Sequence, residues 1–289
     1  MRVLVTGAGG LVGRAVAEHC NASRDEVLLY GHKDLDITDR EKVFLELLHQ
    51  QPDVVFNCAA WTNVDACESD PEKAYAVNAI GPENLASACK VIGSVFVTIS
   101  TDYVFDGEKS GFYTQLDTPN PLSVYAASKL EGERRPQAAY DRSIVVRSGY
   151  IFGTGGANFL STVVARARKD EVLKVIIDTY GTPTYANDLA VRLRELAVAD
   201  TQGIYHVVNS GPGVSFEQFT REVLSLLGKT DAVIEPVLAA SLNRPAKRPY
   251  NSRLRCLRSA EIGLSPLPDW ESALARFVRS ELNADFGPS

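Results

Sequence analysis

Short apolar runs alternate along this chain with longer stretches of helical periodicity. The apolar runs lie at residues 2–5, 27–30, 54–56, 95–99 and 144–146. Segments with apolar residues at helical spacing follow them, the first around Ala15–Ala17. Strands that alternate with helices are typical of a parallel sheet with helices on both faces. The pattern therefore predicts an α/β protein with a Rossmann-type, doubly wound parallel sheet.

Capping signals predict where several helices begin. Asp70 before Pro71 is a typical helix start, because proline is tolerated at the first helical position. Ser215 and Gln218 have the spacing of a capping box. The segment Pro183–Asp188 is a third predicted helix start.

The alternation becomes less regular after about residue 150. We expect residues 1–150 to form a dinucleotide-binding Rossmann domain. Residues 151–289 should form mainly a smaller α/β substrate-binding lobe, interleaved with the sheet, that supplies one side of a cleft. Within this lobe, residues 244–253 concentrate positive charge beside two prolines. This segment is either a loop that holds a diphosphate or a solvated basic loop.

The composition is that of a soluble globular enzyme. The 289 residues carry a formal net charge of −6, which disfavours a nucleic-acid-binding surface. No apolar run approaches the length of about 18 residues that spans a bilayer, and no signal peptide precedes the first strand. The five cysteines and four histidines are dispersed without metal-ligand spacing. We expect a cytoplasmic protein with reduced thiols, no membrane partner and no metal site.

A glycine-rich turn, Thr6–Gly13, connects the first strand to the first helix. Its glycine spacing permits a tight turn, the approach of backbone amides to a pyrophosphate, and close packing of helix on strand. The predicted cofactor-binding residues of this turn are Gly7, Gly10, Leu11, Val12 and Gly13. A dinucleotide is therefore expected at the N-terminus of the first helix.

The end of the second strand bears on the choice between NADH and NADPH. An acidic residue at this position accepts the ribose 2′-hydroxyl of NAD, whereas this chain continues with Gly31, His32 and Lys33. The lysine favours a 2′-phosphate, so we predict NADPH, with NADH as the alternative if Lys33 is simply a solvated loop residue. Asp36 either caps a helix or contacts adenine, and with Ile37 it completes the predicted cofactor site.

Tyr125 and Lys129 are four residues apart and project from one face of a predicted helix. A nearby cation favours the phenolate and moves the pKa of a tyrosine, about 10 in isolation, toward neutrality. Thr101 follows the apolar run that ends at Ile99, so its hydroxyl lies where ligands bind and can hold a carbonyl oxygen for hydride attack. The three side chains predict nicotinamide-dependent reduction or oxidation of a carbonyl or alcohol carbon.

These segments resemble those of one known family. The chain is similar to the extended short-chain dehydrogenase/reductases, and among them to the dTDP-4-dehydrorhamnose reductases, over nearly its whole length. The resemblance rests on residues 6–13, 35–39, 57–65, 77–79, 100–105, 125–129, 181–184 and 248–254. Together these segments are far more specific than a tyrosine and a lysine at helical spacing.

The resemblance implies a reaction and residue roles. The reaction is hydride transfer from NADPH to C4 of dTDP-4-dehydro-L-rhamnose, which gives dTDP-L-rhamnose without a metal. Tyr125 would supply the proton, Lys129 would bind the nicotinamide ribose and tune Tyr125, and Thr101 would orient the keto group. The resemblance also implies that Ala59 and Ala60 approach the cofactor, and that the nucleotide-sugar is bordered by Asp102, Asn158, Phe159, Arg248 and Arg253. Such enzymes are commonly homodimers.

One position departs from the family pattern. Where members of the family usually read Arg-Thr-Ser-Trp, this chain reads Arg147-Ser148-Gly149-Tyr150. Tyr150 then replaces the tryptophan that walls the sugar pocket, and its smaller ring adds a hydroxyl and leaves space. A different nucleotide-linked 4-keto-6-deoxysugar is therefore an alternative substrate.

Other functions fit the same segments less well. A nucleotide-sugar 4,6-dehydratase would place an Asp-Glu pair after the threonine, whereas Asp102 is followed by Tyr103. An epimerase would retain its cofactor through each cycle, and copurifying nucleotide would reveal it. A non-catalytic NADP-binding regulatory subunit, like the β subunit of methionine adenosyltransferase, would bind NADPH without oxidising it.

Overall fold

The computed structural model describes residues 1–155 and 159–282. Its strands are, in chain order, β1 (Arg2–Thr6), β2 (Glu26–Tyr30), β3 (Val54–Asn57), β4 (Val95–Thr101), β5 (Ser143–Ser148), β6 (Ile151–Phe152), β7 (Leu173–Ile176), β8 (Tyr180–Gly181), β9 (Thr184–Tyr185), β10 (Gly203–His206), β11 (Val214–Ser215) and β12 (Ile234–Val237). Its α-helices are α1 (Leu11–Ala22), α2 (Arg40–Gln50), α3 (Val64–Ser69), α4 (Pro71–Tyr75), α5 (Gly81–Ile92), α6 (Val124–Ala139), α7 (Phe159–Ala167), α8 (Ala186–Val198), α9 (Phe216–Leu226) and α10 (Trp270–Phe277). A π-helical turn at Ala76–Ile80 joins α4 to α5, and another, at Val278–Leu282, follows α10. Short 3₁₀ turns lie at Asp102–Val104, Ala239–Leu242 and Ala260–Ile262.

Six strands form a parallel sheet in the order β10-β5-β4-β3-β1-β2. The chain moves from β1 outward to β2 and then returns to the other side of β1 with β3, which confirms the predicted doubly wound fold. Side-chain hydrogen bonds connect β1, β3 and β4. Thr6 Oγ1 donates to Asn57 Oδ1 at 2.7 Å, and Asn57 Nδ2 donates to Thr98 Oγ1 at 3.0 Å. Ligands in such sheets bind at the carboxyl ends of the strands, beside this reversal.

Successive residues of the central strands face opposite sides of the sheet, and helices cover both sides. In β1, Val3 and Val5 pack in one core with α1 and α8, whereas Leu4 packs in the other with α2 and α5. Because both faces are buried, these strands read in the sequence as continuous apolar runs.

The smaller lobe contains three two-stranded pairs, namely β6 with β9, β7 with β12, and β8 with β11. Its core lies among α7, α9 and α10 and includes Phe152, Phe219 and Trp270. The chain after residue 150 also returns to the main sheet, since β10 pairs with β5 and α8 packs against α1. The division into residues 1–150 and 151–289 stays a prediction.

Two predicted helix caps are confirmed. Asp70 accepts a hydrogen bond from the backbone nitrogen of Lys73 at 3.1 Å, with Pro71 at the first helical position. Ser215 and Gln218 form the reciprocal capping box, with backbone-to-side-chain distances of 3.0 and 3.1 Å. The spacing in the sequence is sufficient to predict these caps, because both partners of each cap lie within one helical turn.

One predicted helix start is confirmed, and one predicted strand end is wrong. The helix predicted to start within Pro183–Asp188 begins at Ala186, because the two preceding residues form β9 and pair with β6. The strand predicted to end at Ile99 continues to Thr101, which pairs with Ser148 of β5. Thr101 is therefore the last residue of a central strand, and its position is fixed by the sheet.

Candidate active site

A cavity of about 1280 Å³ lies at the carboxyl ends of the central strands, between the sheet and the smaller lobe. The predicted site residues that line it are Gly10, Leu11, Val12, Ala59, Ala60, Thr101, Asp102, Tyr125, Lys129, Tyr150, Phe159 and Arg248. Predicted cofactor-binding and substrate-binding residues thus share one cavity.

The glycine turn packs tightly against the chain that leaves β3. Gly7 has a φ of 63°, and a Cβ there would lie 2.6 Å from the backbone nitrogen of Ala59. A Cβ on Gly13 would lie 2.3 Å from the carbonyl oxygen of Gly7. Gly7 and Gly13 therefore shape the turn from outside the cavity lining, whereas Gly10 precedes α1 at the cavity. The first amides of α1, which have no intrahelical partner, lie where a pyrophosphate can be bound.

Tyr125 and Lys129 both lie on α6 and are buried at the cavity wall. Ser123 caps this helix by accepting a hydrogen bond from the backbone nitrogen of Ala126 at 3.3 Å. Lys129 Nζ donates to the carbonyl oxygen of Ile99 at 2.6 Å, which anchors the ammonium to β4.

Thr101 and Asp102 lie at the end of β4, facing the same cavity. Thr101 Oγ1 donates to Asp102 Oδ1 at 3.1 Å and accepts from the backbone nitrogen of Tyr103 at 3.2 Å. Burial raises the pKa of Asp102 to about 6, although hydrogen bonds from Ser252 and Thr101 lower it. Gly149 leaves room for this carboxyl group, because a Cβ there would lie 2.2 Å from Asp102 Cγ.

Burial dominates the acid–base properties of the two α6 side chains. Burial raises the pKa of Tyr125 well above its usual range, and a hydrogen bond with Thr101 only partly opposes this. Burial lowers the pKa of Lys129 to about 8, although the charges of Glu133 and Cys58 raise it. The expectation that Lys129 moves the Tyr125 pKa toward neutrality is therefore reversed here. A phenol with a raised pKa stays protonated near neutral pH, so it carries the proton that a general acid has to donate.

Tyr150 belongs to an aromatic wall with Phe159, Phe216 and Phe219. Its φ of 51° is unusual for a bulky residue. Gly181 makes room for its ring, since a Cβ there would lie 2.5 Å from Tyr150 Cδ1. Among the residues that the structure describes, its buried hydroxyl has no hydrogen-bond partner. Buried polar atoms are normally paired, so a ligand in the cavity is the natural partner.

Two further buried hydroxyls at the cavity, on Ser148 and Thr179, also have no partner within the described residues. Sequence reasoning does not single them out, because neither has a motif of its own. The available signals are indirect: Ser148 lies within the segment that departs from the family pattern, and Thr179 lies just before Gly181 and its family segment.

The basic segment reaches the cavity, but its arginines differ in position. Arg248 lines the cavity and forms a bidentate pair with Asp65, both N–O distances being 2.8 Å. Arg253 is not among the lining residues. Its guanidinium donates instead to Asn251 Oδ1 at 2.7 Å and to the carbonyl oxygen of Ser110 at 2.5 Å.

Besides Gly7 and Gly13, three predicted cofactor residues lie outside the cavity lining, namely Lys33, Asp36 and Ile37. Lys33 is exposed in the loop after β2, and Ile37 is buried in the core. Asp36 Oδ1 accepts hydrogen bonds from the backbone nitrogen and hydroxyl of Thr38 at 2.9 and 2.8 Å, so its carboxylate caps its own turn. Asn158 lies outside the described residues.

Within residues 1–155 and 159–282, no three His, Cys, Asp or Glu side chains are grouped so that they could hold a metal ion. No helix in the same ranges combines the length and the apolar character needed to cross a membrane. All five cysteines lie in this part of the chain, and none forms a disulfide.

Comparisons with known proteins agree on one family. Residues 1–283 match the family model described as the RmlD substrate binding domain. The dTDP-4-dehydrorhamnose reductase of Streptomyces griseus is 39% identical over 279 residues, which cover 94% of this chain and 91% of that protein. The crystal structure of a dTDP-4-dehydrorhamnose reductase from Clostridium acetobutylicum has a TM-score of 0.93 and 36% identity, covering 96% of this chain and 99% of that one. The Bacillus anthracis dTDP-4-dehydrorhamnose reductase, solved in complex with NADP, has a TM-score of 0.93 and 33% identity, covering 96% and 98%.

The family match covers both the sheet and the smaller lobe, and these relatives align over nearly their whole length. The central sheet and the candidate site belong to the same aligned region. The chain therefore belongs to the dTDP-4-dehydrorhamnose reductase family, within the extended short-chain dehydrogenase/reductases, and is an oxidoreductase.

Proposed function

We propose that this protein reduces the 4-keto group of dTDP-4-dehydro-L-rhamnose to give dTDP-L-rhamnose, with NADPH as the reductant. The observation that carries this proposal is that Tyr125, Lys129 and Thr101 line the same cavity as the N-terminus of α1. The choice of sugar is supported by family membership, because relatives similar over nearly the whole chain are dTDP-4-dehydrorhamnose reductases.

The residues of the glycine turn fit a dinucleotide. A Cβ at Gly7 or Gly13 would collide with backbone, so the turn stays narrow enough for its amides to approach a pyrophosphate. Ala59 and Ala60 offer only small side chains beside the same space. When bound there, NADPH supplies the hydride. Exposed Lys33 is the proposed partner of the 2′-phosphate, with NADH as the alternative cofactor.

The chain's own side chains handle the substrate oxygen and its proton. Thr101 lies at the fixed end of β4 and can hold the keto oxygen through its hydroxyl. Tyr125 keeps its proton near neutral pH because of its burial, and it donates that proton as negative charge develops on the oxygen. Lys129, anchored to Ile99, supports Tyr125 and binds the nicotinamide ribose.

The nucleotide-sugar is proposed to lie among the cavity residues outside the glycine turn. Asp102 and Tyr150 would contact the sugar, and Phe159 would border it. Arg248 would face the diphosphate while held in place by Asp65. Two further cations of the predicted basic segment, Arg244 and Lys247, also line this part of the cavity. Arg253, bonded to Asn251 and Ser110, is proposed to shape the wall rather than to touch the ligand.

The decisive experiment measures the loss of NADPH absorbance in the presence of dTDP-4-dehydro-L-rhamnose. This substrate is generated in place from dTDP-glucose by the enzymes that precede the reductase in the reaction sequence. We expect turnover to dTDP-L-rhamnose, with NADH run alongside to rank the cofactors. Higher kcat/KM with another 4-keto-6-deoxysugar would reassign the sugar and keep the reductase. Tight NADPH binding without turnover of any such sugar would overturn the proposal and favour a regulatory role.

We also propose that the protein is a cytoplasmic homodimer. Five cysteines without a disulfide are compatible with a reducing compartment. Light scattering of the purified protein checks the assembly, and a monomer mass at micromolar concentration would contradict it.

A further inference from the structure

Four buried polar side chains lie next to the triad of Tyr125, Lys129 and Thr101, and they have no role in the proposed reaction. They are Ser100 on β4, Glu133 on α6, Arg147 on β5 and His206 on β10, and none is more than 6% exposed. Burying charged groups is costly unless they are well paired, so a network of this kind requires a reason.

The carboxylate of Glu133 is the centre of the network. Arg147 binds it in a bidentate manner, with Nε 2.9 Å from Oε1 and Nη2 2.6 Å from Oε2. Ser100 Oγ donates to Oε1 at 2.5 Å. Three donors therefore converge on one carboxylate, the arrangement that best stabilises a buried negative charge.

His206 completes the far end of the network. Its Nε2 lies 3.4 Å from Arg147 Nη1, and its Nδ1 lies 3.2 Å and 3.1 Å from the carbonyl oxygens of Tyr113 and Arg255. Burial and the charge of Arg147 lower the pKa of His206 to about 3, so the imidazole is neutral. Nδ1–H then donates to the carbonyls, and Nε2 accepts from Arg147. Arg147 is thus the positive charge that faces Glu133.

The network adjoins the triad on two elements. Glu133 lies one helical turn beyond Lys129 on α6. Ser100 lies between Ile99, whose carbonyl oxygen binds Lys129 Nζ, and Thr101. Glu133 therefore links the helix that carries Lys129 to the strand that carries Thr101.

We propose that Glu133 is a positioning residue for the reduction: held by Arg147 and Ser100, it supplies the negative charge that keeps Lys129 an ammonium group in its buried position. This rests on the proposed function of the site. Removal of the carboxylate would leave Lys129 with its burial and with the charge of Arg147, both of which disfavour the ammonium form.

The charges around Lys129 decide the direction of the effect. Burial lowers the pKa of Lys129 to about 8, while Glu133 on the same helix and Cys58 after β3 raise it. Tyr125, also on α6, is faced in turn by Asp102 and Tyr103 from the end of β4. Without Glu133 the Lys129 pKa should fall further, so the enzyme should lose activity at lower pH than the wild type.

The test compares Glu133→Gln with Arg147→Lys in the pH profile of kcat/KM, which reports the free enzyme. For the wild type we expect kcat/KM to fall as pH rises through about 8, the pKa of Lys129. This fall is the alkaline limb of the profile. In Glu133→Gln the limb should lie about one pH unit lower, so that kcat/KM is roughly tenfold below that of the wild type at alkaline pH. Arg147→Lys keeps both charges and loses only the bidentate geometry, so it should lower the melting temperature and leave the limb in place.

A purely structural role for Glu133 would lower the melting temperature in both variants and move the limb in neither, which would overturn the proposal. If Glu133→Gln does not fold, combining it with Arg147→Gln removes both charges of the Glu133–Arg147 pair, so neither is left without the other. This pair of substitutions should move the limb in the same direction by a smaller amount, and an unmoved limb would equally refute the proposal.

The pH dependence of NADPH affinity, followed by fluorescence, gives the same comparison independently of turnover. A wild type that binds NADPH but reduces no keto-sugar would count against the proposed function and leave the Glu133 comparison measurable.

Discussion

At the scale of single residues, burial sets the chemistry of this site. Tyr125, Asp102 and Lys129 each have a pKa displaced in the direction that disfavours the charged form. Groups with perturbed pKa values concentrate at functional sites. The same burial keeps Tyr125 a protonated phenol near neutral pH, the form that the proposed role as proton donor requires.

Tyr125→Phe removes the donated proton and retains the ring. We expect kcat to fall about 10²–10⁴-fold, the usual contribution of a general acid. NADPH affinity should change little, because the phenol is not the principal cofactor contact. Stopped-flow reduction and a fluorescence titration of NADPH measure the two quantities, and undiminished turnover would remove Tyr125 from the acid role.

Tyr150→Phe tests the hydroxyl that has no partner within the described residues. If the sugar supplies that partner, the variant loses one hydrogen bond of about 1 kcal/mol, and KM for the keto-sugar should rise about fivefold. NADPH affinity should not change. An unchanged KM together with a raised melting temperature would mean that the hydroxyl is unpaired in the complex as well.

At the scale of elements, α6 crosses the π-helical turn at Ala76–Ile80 at very short range. A Cβ on Gly132 would lie 1.9 Å from the carbonyl oxygen of Asn78. The Asn78 side chain accepts from the backbone nitrogen of Trp61 at 2.8 Å and donates to Ser128 Oγ at 3.0 Å. The turn thereby joins the loop after β3 to the helix that carries Tyr125 and Lys129.

Gly132→Ala should therefore force α6 away from the π-helical turn. Overpacking of this kind costs about 1–3 kcal/mol of unfolding free energy, and kcat should fall because Tyr125 and Lys129 move with the helix. Arg134→Ala, on the exposed side of the same helix, is the matched control and should stay within about 0.5 kcal/mol of the wild type. Denaturant unfolding compares the three proteins. Equal stability of Gly132→Ala and the control would show that the crossing has room for a methyl group.

At the scale of the whole molecule, the site is built at the expense of stability. Within the part of the chain that the structure describes, the cavity between sheet and lobe contains buried hydroxyls without a protein partner, and burial is the largest cause of the raised pKa of Asp102. Buried polar groups that destabilise the fold are common at functional sites, where substitutions that stabilise the fold reduce activity.

Asp102→Asn should raise stability and lower activity. The pKa of Asp102 is about 6 in the folded protein, against 3.8 for an unperturbed aspartate such as that of the unfolded chain. The folded state therefore binds the proton more tightly, and the cost of the buried charge is fully present above about pH 6 and absent below about pH 4. We expect the variant to gain about 1–3 kcal/mol at pH 8, and the gain to shrink as pH falls through 6. Thermal unfolding across this range is the measurement, and a gain that does not depend on pH would contradict the assignment.

Features that depend on local spacing could be predicted from the sequence alone. The doubly wound sheet, the glycine turn and the placement of Tyr125 and Lys129 on one helix follow from runs and intervals of a few residues, because backbone geometry repeats over that range. The caps at Asp70 and Ser215 were predictable for the same reason.

Features that depend on residues far apart in the chain could be seen only in the folded protein. It turned Arg253 toward Asn251, paired Arg248 with Asp65, and reversed the expected shift of the Tyr125 pKa. Burial and ion pairing are set by whatever the fold brings within a few ångströms, and that is not encoded in the spacing of one segment.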